Sequence, residues 1–131
     1  MLYDPIRKKS VADTPEERVR QALLRQMVEV LAFPKGLIAV EKKLLSQRRA
    51  DIIVFRRQGE GLTPLVVIEC KAEDLDEEAI RQVVGYNTLL AAPFLCVAHQ
   101  GGIQTFWKEG GALRSIGFLP PYTQLLQRVA S

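Results

Sequence analysis

The sequence predicts an α/β domain, a mixed central β-sheet of four or more strands flanked by helices. Three observations carry this. A capped amphipathic stretch near the N-terminus reads as a helix, and the short apolar runs Ile52–Phe55 and Leu65–Ile68, joined by a glycine turn, read as a hairpin. A second helical stretch then leads into the wholly apolar run Phe94–Ala98, and a helix crossing between two strands implies that they pair in parallel. The order is one helix, three strands in a meander, a helix, a strand and a closing hairpin, which suits one mixed sheet.

Residues 1–12, with the basic cluster Arg7-Lys8-Lys9, show no periodicity and are expected to form an N-terminal arm, mobile or laid on the surface. Its cations either touch phosphate or are simply solvated. Asp13 or Thr14 is suited to cap the first helix, Pro15 to its first turn, and Glu16-Glu17 to the positive end of its dipole. That helix is predicted over 15–31. Val19, Leu23, Leu24, Met27, Val28, Val30 and Leu31 share a broad face at roughly 100° per residue. Glu16 and Arg20 project into this face, whereas Glu17 turns toward solvent. A carboxylate on the buried side calls for a metal or phosphate role, or for an ion pair with Arg20.

Pro34-Lys35-Gly36 breaks the chain, and a strand is predicted over 37–45 with Ile38 and Val40 on one face and Glu41 on the other. Gln47-Arg48-Arg49-Ala50 forms a basic turn into the Asp51 strand, and Gln58-Gly59-Glu60-Gly61 makes the next hairpin. The second helix opens on the acidic segment 74–78 and runs to about Ala91, where Pro93 stops it. Strands follow at 94–98, 103–108 and 113–118, the last an edge strand, and Pro120-Pro121 precedes a short helix over 122–129.

A chain of 131 residues forms one domain with one core. Its 47% hydrophobic and 25% charged content excludes wholesale disorder, and a net charge of +3 with a pI near 9.0 favours anionic partners without requiring nucleic acid. Its apolar runs fall short of the roughly 20 residues that span a bilayer, and no signal peptide is evident. The sequence therefore predicts a soluble, cytoplasmic protein with no membrane partner. Cys70 and Cys96 sit in apolar strands as buried thiols. With one histidine, His99, in a loop, neither a zinc framework nor a Cys/His nucleophile pair is indicated. Trp107, beside Phe106, is expected to serve packing.

Chemistry concentrates at one place. Side chains alternate along a strand, so Glu69 and Lys71 share a face while Cys70 points away. Asp51, at the edge of the neighbouring strand, stands close enough to share a cation with Glu69. Two carboxylates and an amine suit metal-assisted phosphodiester hydrolysis. A plain charge pair at a sheet end, with Asp51 as a turn residue, is the structural alternative.

Asp51 followed by Glu69-x-Lys71, each at the border of an apolar strand and followed by a helix, resembles the PD-(D/E)XK nuclease superfamily. Thr14-Pro15-Glu16-Glu17-Arg18-Val19-Arg20-Gln21, Arg49-Ala50-Asp51-Ile52-Ile53-Val54-Phe55, Val67-Ile68-Glu69-Cys70-Lys71-Ala72 and Gln82-x-x-x-Tyr86 resemble the nuclease-like domain at the N-terminus of type I restriction enzyme R subunits. This similarity spans a core of residues 13–100, leaving 101–131 as a C-terminal hairpin and short helix. Ala50 stands where the superfamily has its namesake proline.

The resemblance implies a restriction-endonuclease-like core and a Mg²⁺-dependent DNA endonuclease in a restriction system, with Mn²⁺ as a substitute. Asp51, Glu69 and the backbone carbonyl of Cys70 would hold the metal, and Lys71 would orient the attacking water. Glu16 would add a metal or water ligand. Gln82 and Tyr86, four apart on one helix face, would meet phosphate or brace Lys71. Arg20, Arg48 and Arg49 complete the expected DNA contacts. No G-x-x-x-x-G-K-[ST] segment is present, so the expectation is either a separate motor or specificity subunit as partner or cleavage with low specificity. The apolar stretch 111–119 is suited to pairing in a homodimer. The competing class is a non-catalytic nucleic-acid-binding or accessory interaction module that keeps the fold.

Overall fold

The computed structural model describes residues 1–43, 49–87 and 92–130, with residues 42, 43, 49 and 85–87 followed by their backbone alone. Among these residues the chain forms three α-helices, a two-stranded hairpin and a six-stranded sheet. The hairpin is β1 (Leu2–Asp4) and β2 (Lys9–Val11). Helix α1 (Pro15–Glu29) and a 3₁₀ turn (Lys35–Leu37) lead to β3 (Ile38–Lys43), β4 (Arg49–Gln58) and β5 (Gly61–Cys70). Then come α2 (Glu77–Asn87), β6 (Phe94–His99), β7 (Gly102–Glu109), β8 (Ala112–Ile116) and α3 (Tyr122–Ala130).

The sheet runs β3-β4-β5-β6-β7-β8, antiparallel throughout except for the parallel β5–β6 pair. This is the pairing that a helical crossover demands, and it buries β6 in the middle of the sheet. Cys96 of β6 packs with Leu24 and Met27 of α1 and Leu125 of α3, whereas its neighbour Val97 packs with Ile80 and Val84 of α2. Alternation along one strand thus feeds two cores, with α1 and α3 on one face and α2 on the other.

Local chemistry explains the element ends. Thr14 caps α1 by accepting from the Glu17 amide at 3.1 Å. Past the helix, Ala32 takes a left-handed φ of 57° and reverses the chain, so that the Phe33 amide returns to the Met27 carbonyl at 2.9 Å. Phe33 then stacks at 5.4 Å on Tyr122, whose hydroxyl donates to the Phe55 carbonyl and ties α3 to β4. Asp76 accepts from the Ala79 amide at 2.8 Å and starts α2 three residues later than the acidic run suggested. The predicted continuation of α2 over 88–91 lies outside the described residues. Val30, placed on the apolar face by periodicity, follows the last helical turn and is exposed.

The N-terminal segment departs most from expectation. It is a hairpin, not an arm, and Asp4 is fully buried (0% exposed). Asp4 Oδ1 accepts from the Ile6 and Arg7 amides, both at 2.8 Å, while Oδ2 accepts from Arg7 Nε at 2.7 Å and from Gln21 Nε2 of α1 at 2.9 Å. The strand around Asp51 is also longer than its apolar run. Arg49 and Ala50, predicted in a turn, already belong to β4, with Ala50 paired to Lys42. No helix among the described residues is long and apolar enough to cross a membrane.

Candidate active site

The candidate site forms where β4 begins and β5 ends. The β4–β5 ladder runs from Gln58–Gly61 to Ile52–Ile68, which leaves Asp51 and Glu69 at the next step. There the Asp51 side chain takes over from the main chain, Oδ2 accepting from the Cys70 amide at 2.7 Å. On its other side β5 stays clamped to β6 through Glu69–Val97 and Cys70–Ala98, and the Lys71 amide donates to the Ala98 carbonyl at 2.8 Å. Asp51, Glu69 and Lys71 are therefore fixed by strands at both sides. Glu69 is buried, Asp51 and Lys71 are half-buried, and Cys70 turns into the core beneath α1.

Helix α1 supplies the rest. Arg20, 2% exposed, donates from Nη2 to Asp51 Oδ1 at 3.0 Å and to Glu16 Oε1 at 3.3 Å. Its Nη1 meets Glu17 Oε1 and lies 3.5 Å from Glu41 Oε1. Arg7 reaches in from the N-terminal hairpin to the same Glu17 oxygen at 2.6 Å and to Glu41 Oε2 at 3.2 Å. The result is one ion-pair network from buried Asp4 through Arg7, Glu17 and Arg20 to Asp51.

This reverses the expected roles of the two acids on the first turn of α1. Glu17 is buried at 8% exposure and Glu16 is exposed. The hairpin covers the flank that periodicity assigned to solvent, and two arginines hold Glu17 there. Burial pushes the Glu17 carboxyl up, but hydrogen bonds from Arg7 and Gln21, with the charge of Arg20, bring it below its ordinary range. Glu16 nevertheless faces the site. Partial desolvation and the nearby Asp51 charge raise its carboxyl above the usual value, against the opposing pull of Arg20 and Lys71.

Arg20 is also corrected. Expected as a DNA contact, it is shut off from solvent and its Nη1 and Nη2 are taken up by carboxylates. Gln82 lies exposed on α2, with Tyr86 four residues on in the same helix. The side chains of Tyr86 and Arg49, and Arg48 altogether, lie outside the described residues. His99 Nδ1 accepts from the Leu75 and Gly101 amides at 3.2 and 3.1 Å, a loop-bracing role.

Sequence reasoning missed Asp4, Arg7, Glu17 and Glu41 as members of this network. Glu41 has no local signal. Its φ of 55° drops it out of the β3–β4 pairing between Val40–Ile52 and Lys42–Ala50, which lets it turn to the arginines. An arginine and an aspartate three apart in the N-terminal segment were the available clue to Arg7 and Asp4.

Oxygen donors dominate the site, the chemistry that a hard cation prefers. Among the described residues, the ion pairs of Asp4, Glu16, Glu17, Glu41 and Asp51 run to the guanidinium groups of Arg7 and Arg20, and the charge of Lys71 also reaches Glu16. Among the described residues no group of three or more His, Cys, Asp or Glu side chains is gathered closely enough to hold a metal by itself. Mg²⁺ typically takes only one or two carboxylates and keeps several waters, so the donor set fits it.

The model of the type I restriction enzyme R protein N terminus matches residues 15–112 of the chain. The chain belongs to this family. None of the curated proteins matches. Among solved structures, this R-protein N-terminal domain is similar to a fragment assigned as the HsdR subunit of a type I restriction enzyme from Vibrio vulnificus YJ016, with a TM-score of 0.60 at 19% identity. That similarity covers 92% of this chain but 26% of the solved one, so the chain spans about a quarter of the protein it matches. At this identity the likeness concerns the fold.

Proposed function

We propose that this R-protein N-terminal domain has a restriction-endonuclease-like core and is a Mg²⁺-dependent DNA endonuclease that hydrolyses phosphodiester bonds in a restriction system. The observation that supports this reading is that Asp51, at the start of β4, meets the end of β5 where Glu69 and Lys71 follow, and that Glu16 of α1 lies near the charges of Asp51 and Lys71. Asp51 and Glu69, with the Cys70 carbonyl, would hold Mg²⁺ or Mn²⁺. The bound cation would supply charge for the scissile phosphate and a more acidic water. Lys71, on the face of Glu69, orients the attacking water and offsets charge gathering on the phosphate oxygens. Glu16 adds a metal or water ligand at the mouth of the site. Gln82, Tyr86, Arg48 and Arg49 are the residues assigned to the DNA backbone. The domain works with DNA and with other subunits of the restriction system, and β8, the last strand of the sheet, offers a homodimer contact.

One observation favours the non-catalytic alternative. Both Asp51 oxygens already accept hydrogen bonds from the protein, from Arg20 and from the Cys70 amide. Plasmid nicking with Mg²⁺ or Mn²⁺, run beside Mn²⁺ calorimetry on wild type and Glu69→Ala, separates the two. Binding and nicking lost together in the variant support the nuclease. A wild type that binds no metal and leaves every DNA form uncut makes the domain an accessory module.

A further inference from the structure

We propose that Arg20 is a positioning residue for Asp51, and that the N-terminal hairpin holds Arg20 in place. The consequence for metal rests on the nuclease reading above; the positioning itself does not. Arginine carries a rigid planar fork, and here its two ends are used on opposite sides. Nη2 holds Asp51 Oδ1 at 3.0 Å, while Nη1 is anchored by Glu17. Glu17 is itself fixed from behind by Arg7 at 2.6 Å and Gln21 at 3.2 Å, and Arg7 is fixed by fully buried Asp4 at 2.7 Å.

Each link limits the next. Asp51 has two oxygens, one on Arg20 and one on the Cys70 amide, so its carboxylate plane is set by α1 on one side and β5 on the other. A guanidinium that is 2% exposed, with Nη1 and Nη2 spread over four carboxylates and Nε buried without a hydrogen-bond partner among the described residues, is closed to a phosphate. Such outer partners commonly fix the orientation and basicity of a metal-binding carboxylate, and their loss typically weakens metal binding by about 10- to 100-fold.

Arg20→Lys tests this in the whole chain, because lysine keeps the charge but presents one ammonium that cannot bridge Asp51 and Glu17 as a fork. Two signals are read. In metal-free protein, the amide resonance of Cys70 reports the hydrogen bond to Asp51, and a role confined to global stability would leave it in place. Calorimetric titration with Mn²⁺ reports the site. In the variant the Cys70 amide is expected to move and to exchange faster with solvent, and Mn²⁺ affinity to fall by about ten-fold or more.

An unmoved Cys70 resonance overturns the proposal, as does a moved one with Mn²⁺ affinity equal to wild type. Should Arg20→Lys fail to fold, Arg7→Lys takes its place, since Arg7 touches Glu17 and Glu41 and makes no contact with Asp51. The same changes are expected there at smaller size, and their absence overturns the proposal. A wild type that binds no Mn²⁺ refutes the nuclease reading alone, and the Cys70 amide then decides the positioning role by itself.

Discussion

Replacing Asp4 with asparagine tests whether the N-terminal hairpin is a structural part of this domain. Asp4 is fully buried and its two oxygens accept four hydrogen bonds, from the Ile6 and Arg7 amides, Arg7 Nε and Gln21 Nε2. Asparagine has nearly the same shape but turns one acceptor into an NH₂ donor that faces two other donors. Hydrogen bonds to a charged group contribute about 1.5–3 kcal/mol each, and breaking a buried ion pair costs about 3–5 kcal/mol. Arg7 keeps Glu17 and Glu41 and so is not left as an isolated charge, which favours the lower end, about 3 kcal/mol. For a chain of this length that corresponds to a fall in Tm of about 12 °C.

The pH dependence adds a second signature. Burial pushes the Asp4 carboxyl up, but hydrogen bonds from the Arg7 amide and side chain, from Gln21 and from Ile6 hold it below its ordinary value of 3.8. Its folded value is thus lower than its unfolded one. The stabilisation is fully present above the unfolded value and is lost as pH falls through the folded one. Thermal melts followed by circular dichroism should therefore show a constant gap between wild type and Asp4→Asn from neutral pH down to about pH 5, closing below about pH 4. Equal Tm values at neutral pH, or a gap that persists undiminished into strong acid, would refute the account of the hairpin.

Two further expectations concern the core. Leu24 is fully buried between α1 and the sheet, so Leu24→Ala should lower stability by about 3 kcal/mol, read as a lower urea midpoint at unchanged slope; a loss below about 1 kcal/mol would contradict the packing. Burial pushes the Cys96 thiol up to about 12, and burial with the nearby Asp51 charge raises Cys70 further still. Neither thiol should react with Ellman's reagent at mildly alkaline pH in folded protein, and both should react in guanidinium; rapid labelling of the native state would refute their burial.

Much of the fold was legible in the chain because it rests on local periodicity and on turn chemistry. Thr14-Pro15 set the start of α1, the glycine-containing turn at 59–60 joined β4 to β5, and the crossover helix before an apolar strand required the parallel β5–β6 pair. The same alternation turned Cys70 into the core. Even the meeting of Asp51 with the end of β5 followed from hairpin geometry.

Charge pairing was another matter. Arg20 and Asp51 are 31 residues apart, and Arg7 and Glu41 are 34 apart; no periodicity in a single sequence links such partners. Which of Glu16 and Glu17 is buried depended on a hairpin that covers one flank of α1, and Glu41 joined the network only through a left-handed φ within β3. The sequence by itself determined the elements from α1 onward and their order, because side-chain periodicity and backbone preference act within a few residues. Only the tertiary structure decided which charges are buried and by whom they are held, because an ion pair forms wherever packed elements bring opposite charges together, at whatever separation along the chain.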